Sequence, residues 1–437
     1  MKTVIRPDNE LTACNLEWCD RSPIAWRVVT IYTLIEEINQ KNDPIVTTNI
    51  LSLTNTDGVI PYSERGNQGN KAKENLTDYK VIYPNNIVAN SMNILIGSVG
   101  ISKYKGCVSP VYYVYRAKNN VDIRFVNYIF QTERFQQRLR QFANGILEIR
   151  LRLSSHDILH QKLALPDKHE QTRIADYLDD KVSTIDSIIS EAQKSIEEYK
   201  ELKQAIITEA VTKGLDENAL MKDSGSPYIG VIPQRWSVDS LKRISTKTIS
   251  YGVIKLFEPD DENGVKILRC SDVKDGYIDE SNIRTITSSL SNQYSRTVLS
   301  AGDVVINVRG TLGGCAVIPA KMDGYNIARE VALISPNRSR FDSRFVMYSL
   351  LSENFIEYQK IFLSGAIYVG INMESLSHYK MAFPDKNGQM KIADFLDAKT
   401  NAINTLIAEK QSLIDDLQSY KKSLIYEIVT GKRKVVS

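Results

Sequence analysis

The sequence predicts an α+β fold: two mixed α/β domains separated by two long antiparallel coiled-coil helices, an internal duplication with a pseudo-twofold. Three observations carry this expectation. A segment opening Ile174-Ala175-Asp176-Tyr177-Leu178-Asp179 returns as Ile392-Ala393-Asp394-Phe395-Leu396-Asp397, at an offset of 218 residues that holds without a gap to Val211-Thr212 and Val429-Thr430. Both copies lack Gly and Pro and carry a heptad apolar pattern. The stretches between the copies read as alternating strands and short helices, in the same order twice.

The period of the helical copies is the clearest signal in the chain. In the first, Leu178, Ile185, Ala192, Tyr199 and Ile206 form one row; Val182, Ile189, Ile196 and Ala210 form the other, interrupted by Lys203. In the second, Leu396, Ile403, Leu417 and Leu424 form one row with Lys410 as its exception, and Ile407, Ile414 and Ile428 the other, interrupted by Lys421. Apolar residues alternately four and three apart make a seam that needs a partner helix. A run of about 38 residues spans roughly 57 Å at about 1.5 Å per residue. The matched register of the two copies makes each the natural partner of the other.

The domain boundaries follow: residues 1–165 form a first globular domain, 166–215 the first long helix, 216–384 a second globular domain, and 385–437 the second long helix. Residues 1–21 read as irregular. Pro23-Ile24-Ala25-Trp26 resembles Pro233-Gln234-Arg235-Trp236, so the duplication reaches beyond the helices. Residues 27–60 mix a helical pattern (Ile31, Leu34, Ile35, Ile38) with a β-like run from Pro44 to Leu53. Asn86–Asn90, Ile94–Val99, Val111–Tyr115 and Ile149–Leu153 read as strands, Gly106–Pro110 as a turn. Residues 122–143 read as one helix with Phe125, Tyr128, Ile129, Phe135 and Leu139 inward. In the second domain Leu299–Asn307, Arg344–Tyr348 and His378–Pro384 echo the first. Residues 213–230, rich in Gly, link the first helix to the second domain.

Composition excludes several classes. No run of about 18 apolar residues is present, so no membrane span is expected, and the N-terminus lacks the apolar core of a signal peptide. The five cysteines show no paired spacing and read as reduced cytoplasmic thiols. The four histidines show no zinc-binding spacing, and no Walker loop, dinucleotide-binding glycine motif, nucleophile elbow or methyltransferase tetrapeptide occurs. No catalytic constellation is expected. The helical copies carry nine acids against four lysines and six against four; of the net +3, the rest of the chain therefore holds +10. That excess suits a polyanion-binding surface.

What remains is donors and cations in loops. In the first domain these are Arg65, Asn67, Lys71 and Lys73, then Asn93, Lys103, Lys105 and Ser109. In the second they are Asn307, Arg309 and Thr311 in one Gly-rich loop, and Asn326 and Arg329 in another. Arg reads guanine and Asn adenine in the major groove; lysines suit phosphates.

Taken together, the paired helices, the helix end Glu209–Leu215, the stretch Met221-Lys222-Asp223-Ser224-Gly225 and Gly230-Val231-Ile232-Pro233-Gln234-Arg235-Trp236 resemble the specificity subunits of type I restriction–modification systems. The resemblance covers nearly the whole chain and is weakest inside each globular domain. Arg21–Trp26 departs from the Gly-x-Ile-Pro form of the second copy. The resemblance implies a non-catalytic subunit whose two target-recognition domains each read one half of a split, asymmetric DNA target. The helices would act as a ruler and dock two modification subunits, with Asp176, Asp179, Asp394 and Asp397 at the contacts, and restriction and translocation subunits joining through that complex. It implies no cofactor on this chain; S-adenosylmethionine belongs on the modification subunit. A duplicated scaffold that binds only protein stays open beside this reading, as does an enzyme with an unrecognised site.

Overall fold

A computed structural model describes residues 1–55, 58–66, 71–73, 75–143, 151–254, 263–310, 313–363 and 370–436. The chain divides into two compact units: Met1–Ala192 with Ser412–Ser437, and Gln193–Gln411. Each unit holds one globular domain and parts of both long helices.

The helices run Lys168–Lys213 and Lys386–Val429, longer at their starts than the repeated segments alone indicate. Each start is set by an aspartate after a proline: Asp167 Oδ1 accepts from Glu170 N at 2.8 Å, and Asp385 Oδ1 from Gly388 N at 2.8 Å. A side-chain oxygen there satisfies a backbone donor that has no partner inside the helix. Each helix stops at a glycine in the left-handed region, Gly214 (φ 79°) and Gly431 (φ 74°), where a side chain would be strained.

Within each unit the helix segments are antiparallel. In the first, Arg6 donates to Glu170 near one helix start and to the Gly431 carbonyl past the other helix end, while Asp186 meets Lys421 at 2.5 Å. In the second, Lys203 donates to Asn404 at 3.1 Å, and Ile207, Ala210 and Val211 share a core with Ile392 and Leu396. Every residue of the heptad rows is buried or half-buried, the interrupting Lys203, Lys410 and Lys421 included. Lys203 and Lys421 find polar partners on the facing helix. Polar residues in an apolar seam cost stability but penalise every register that would strand them.

The two domains share one architecture. In the first, an antiparallel sheet has the order Val99–Ile101, Ile87–Asn90, Tyr112–Ala117, Ile35–Glu37. In the second the order is Cys315–Val317, Val304–Asn307, Val331–Ile334, Ser250–Tyr251. The strands Ile87–Asn90 and Val304–Asn307 are buried at every position, their closing asparagines included. A two-stranded ribbon closes each domain where it meets its helix: Arg27–Thr30 with Lys162–Leu165, and Ser237–Ser240 with Lys380–Phe383.

Several sequence expectations need correction. Residues 1–21 are ordered strands, not irregular chain: Leu11–Leu16 pairs with Cys19–Pro23, as Met221–Asp223 pairs with Val231–Pro233, and Lys2–Ile5 pairs with Arg433–Val436. The loss of Gly-x-Ile-Pro before Trp26 leaves the turn intact, since Trp26 N and Trp236 N both donate to the carbonyl of the preceding proline, Pro23 or Pro233, at 2.9 Å. The helical pattern at Ile31–Ile38 is a 3-10 turn followed by a strand. Ile94–Ile96 is also a 3-10 turn, and Gly106–Val108 is a strand rather than a turn. The helix expected over 122–143 is two, Ile123–Phe130 and Glu133–Arg140, although all five inward residues are buried as expected. Leu153 donates its N–H to Ser91 O without forming a strand, and Ile149 and Arg150 lie outside the described residues.

Candidate nucleic-acid interface

Each domain is fixed to its long helix by the same polar cluster. The helix Ile123–Phe130 is capped by Asp122, whose side chain accepts from Arg124 N. Arg124 then binds Asp122, Asp176 and Asp179, each at 2.8 Å, and Tyr128 donates to Asp179 at 2.6 Å. In the second unit Arg344 binds Asp342 at 3.4 Å, Asp394 at 2.8 Å and Asp397 at 2.6 Å, and Tyr348 donates to Asp397 at 2.7 Å. Beneath lie two buried glutamines that sequence reasoning missed. Gln171 accepts from Asp122 N and donates to Pro166 O; Gln389 accepts from Asp342 N and donates to Pro384 O. Their signal was the same offset of 218 residues.

The four repeated aspartates thus already have arginine and tyrosine partners inside their own units, while remaining roughly a third to two-thirds exposed. Burial pushes the Tyr128 hydroxyl up, and the Asp179 carboxylate adds to it. Burial alone would raise the Asp122 carboxyl, but Arg124 outweighs it and holds it below the usual carboxylate value. The stability linked to Asp122 is therefore complete above the ordinary value of about 4 and disappears as pH falls through the lower folded value. Asp122→Asn is expected to flatten part of the acid limb of a stability–pH curve measured by urea unfolding. An unchanged limb would show that the Arg124 contacts carry no linkage.

The loops expected to touch a polyanion gather in two places in the first unit. Tyr62 collects the first: Arg65 lies over its ring at 4.5 Å, and the backbone of Ala72, between exposed Lys71 and Lys73, donates to its hydroxyl at 2.9 Å. Tyr83 marks the second, with Lys105 over its ring at 5.8 Å and exposed Lys103 and Tyr104 beside it. Residues 49 and 50 bridge them: Asn49 donates to Lys105 O at 3.0 Å, and Tyr62 N donates to Ile50 O. Asn93 is exposed, whereas Ser109 is half-buried and its carbonyl accepts from Tyr112 N. Asn67 lies outside the described residues, as does Thr311 of the second unit.

In the second unit Arg309 and Arg329 are exposed and close together, since the Glu330 carbonyl accepts from Arg309 N. Arg329 is engaged by Glu330 at 3.2 Å. Two asparagines must be removed from the expected surface. Asn307 is 1 % exposed and its amide donates to Cys270 O and Val273 O; Asn326 is 0 % exposed, accepting from Thr297 Oγ1 and Ile327 N and donating to Ser291 Oγ. A buried amide committed to the fold cannot reach a base edge without leaving those partners unpaired. Sequence reasoning also missed the tyrosines, Tyr62, Tyr83, Tyr104 and Tyr251: it counted the donors and cations around Tyr62 and Tyr104 in their loops and gave the rings no role. Among the described residues no helix is long and apolar enough to cross a membrane.

Two similar domains with different cationic loops, each pinned to the same helical frame, define a duplicated polyanion-binding scaffold. The profile of the family described as type I restriction modification DNA specificity domain matches twice, over residues 23–198 and 233–415. The chain belongs to this family, the specificity subunits of type I restriction–modification systems. It is 26% identical over 433 residues to the type I restriction enzyme MjaVIII specificity subunit of Methanocaldococcus jannaschii, covering 95% of this chain and 94% of that one. It is 30% identical over 192 residues to the EcoBI specificity subunit of Escherichia coli, covering 42% of this chain and 40% of that protein. A solved chain from a study of complex assembly and conformational transition of the type I restriction–modification system has the same fold, with a TM-score of 0.70 at 16% identity, covering 94% of this chain and 99% of that one.

Proposed function

We propose that this chain recognises a bipartite, asymmetric double-stranded DNA target, one half-site per domain, and directs modification subunits, and through them restriction, to it. The observation that carries the reading is the duplication itself. The sheet, the closing ribbon and the arginine–aspartate cluster are the same in both units, while the exposed cationic loops differ. Shared scaffold with divergent loops is what two different half-sites require. Phosphate contacts from Lys71, Lys73, Lys103 and Lys105 would supply affinity, and Arg309 and Arg329 base contacts in the second half-site.

Two modification subunits would dock on the helices, where apolar residues stay exposed at heptad spacing. These are Ile188 on the first helix and Leu413 and Tyr420 on the second within the first unit, and Leu202 and Leu406 within the second. The half-exposed Asp176, Asp179, Asp394 and Asp397 would contribute from the starts of the same helices. S-adenosylmethionine would sit on those subunits, and the assembly would be cytoplasmic.

A gel shift of the purified full chain on long duplex DNA, titrated with salt, tests the reading. With six or more phosphates neutralised, affinity should fall about a thousandfold or more between about 50 and about 200 mM salt. A scaffold that binds only protein would give no shift at any salt concentration.

A further inference from the structure

We infer that Tyr251 is a specificity-determining positioning residue in the second domain, holding the Arg309 guanidinium for base readout. The inference rests on the DNA-reading function proposed above and deepens it. Tyr251 is half-buried on the edge strand Ser250–Tyr251, where it pairs with Ala332. The Arg309 guanidinium lies 5.9 Å from the centre of its ring. Among the described residues Arg309 has no carboxylate partner, whereas its neighbour Arg329 has Glu330. One exposed arginine thus shares its Nε with an adjacent carboxylate, and the other is held by an aromatic face that leaves its donors open.

The backbone fixes the rest of the Arg309 side chain. Arg309 forms an antiparallel bridge with Gly370, and Ile371 N donates to Val308 O at 3.0 Å. A Cβ at position 370 would come within 3.0 Å of Arg309 Cγ and 2.8 Å of Val308 O, so glycine there gives the arginine stem its course. On the other side Gly252 lets the tyrosine strand lie directly on the Ile327 carbonyl. Stem and head are both constrained, and the five N–H donors of the guanidinium form a planar fork that matches the two acceptors of a guanine edge. An arginine that must be ordered on binding pays rotamer entropy; one already ordered on a ring loses less. Sequence discrimination at one base pair should therefore depend on the ring, while phosphate-driven affinity should not.

The test uses the full-length chain and a pool of duplexes with randomised sequence, selected for binding and sequenced. The wild type should give a base preference in both half-sites. Arg309→Ala should flatten one position, by about 5- to 150-fold for a bidentate contact. Tyr251→Leu should weaken the same position by about 2- to 5-fold, the worth of an exposed cation–aromatic contact, with the salt slope unchanged. Tyr251→Phe should keep the preference, because the face is retained. The double variant Tyr251→Leu with Arg309→Ala should match Arg309→Ala alone, since the ring acts only through the arginine. Tyr251→Ile, suited to an edge strand, serves as a second aliphatic variant, and melting curves check folding of each protein. The inference is overturned if folded aliphatic variants keep the wild-type preference, or if they alter a position that Arg309→Ala leaves alone. In both cases the DNA-reading function itself survives. It fails, and the inference with it, only if the wild-type chain enriches no sequence.

Discussion

Gly252→Ala is expected to destabilise the second unit by about 3 kcal/mol or more, in the far tail of single-residue effects. A Cβ at this position would lie 1.8 Å from the Ile327 carbonyl oxygen and 2.4 Å from its carbon. Both are backbone atoms, so no side-chain rotation relieves the overlap. That oxygen accepts from Val253 N at 2.8 Å, and Arg329 N donates in turn to Val253 O at 3.0 Å. To admit a methyl group, the strand carrying Tyr251 must move away and both bonds must stretch. Gly225→Ala is the contrasting control: its φ of 70° is unfavourable for a side chain but nothing lies within 4 Å of the added Cβ, whereas Gly252 has no positive φ and its cost is the overlap itself. Gly225→Ala should cost about 1–2 kcal/mol from backbone conformation alone. Urea unfolding of the two variants decides the matter; equal midpoints would mean that the strand at 252 yields freely.

Leu396→Ala should cost about 2–5 kcal/mol. Leu396 is 0 % exposed and lies in the core that joins the second domain to both helices, with Ile207, Trp236 and Phe345 as fellow members. The methyl groups lost would leave a cavity among packed core residues, which cannot collapse into it cheaply. Leu178, equally buried, holds the same position in the first unit, so Leu178→Ala should cost a similar amount there. Calorimetry on the two single variants would show the loss. A cost below about 1 kcal/mol for Leu396→Ala would mean that the helix is held by its ion pairs rather than by burial.

That pair of leucines marks what could be read from the sequence. Periodicity found them because a helix seam repeats its requirement every seven residues, and a duplication repeats it again. The same logic explains the motif around them: in Ile174–Asp179 the apolar residues Ile174, Ala175 and Leu178 go inward and the two aspartates meet Arg124. The short strands were harder. Gly106–Val108 looked like a turn because it contains glycine, yet glycine is needed there for space: a Cβ would come within 2.6 Å of Asn49 O. The N-terminal strands were invisible for a different reason. Their partner in the case of Lys2–Ile5 is Arg433–Val436, and no local pattern announces a contact across the full chain. Among site residues, Lys71, Lys73, Lys103, Lys105, Arg309 and Arg329 are exposed, as lysine and arginine rarely lose their water, whereas Arg65 is half-buried over the Tyr62 ring. Asparagine carries no such guarantee. Asn307 and Asn326 sit in Gly-rich stretches that look like loops, but their amides serve as internal braces.

The ribbon between Lys2–Ile5 and Arg433–Val436 has a consequence for how the protein is made. The second unit is one unbroken stretch, Gln193–Gln411, and every segment it needs has emerged once that stretch has left the ribosome. The first unit needs Ser412–Ser437 as well. Its N-terminal domain emerges before the second unit, but the helix segment that covers it and the strand that pairs with Lys2–Ile5 are translated after that unit. Domains generally fold in the order of synthesis; here the unit that begins before the other is completed after it, and until Arg433–Val436 has been translated Lys2–Ile5 is an unpaired strand edge, the kind of surface that recruits the wrong partner.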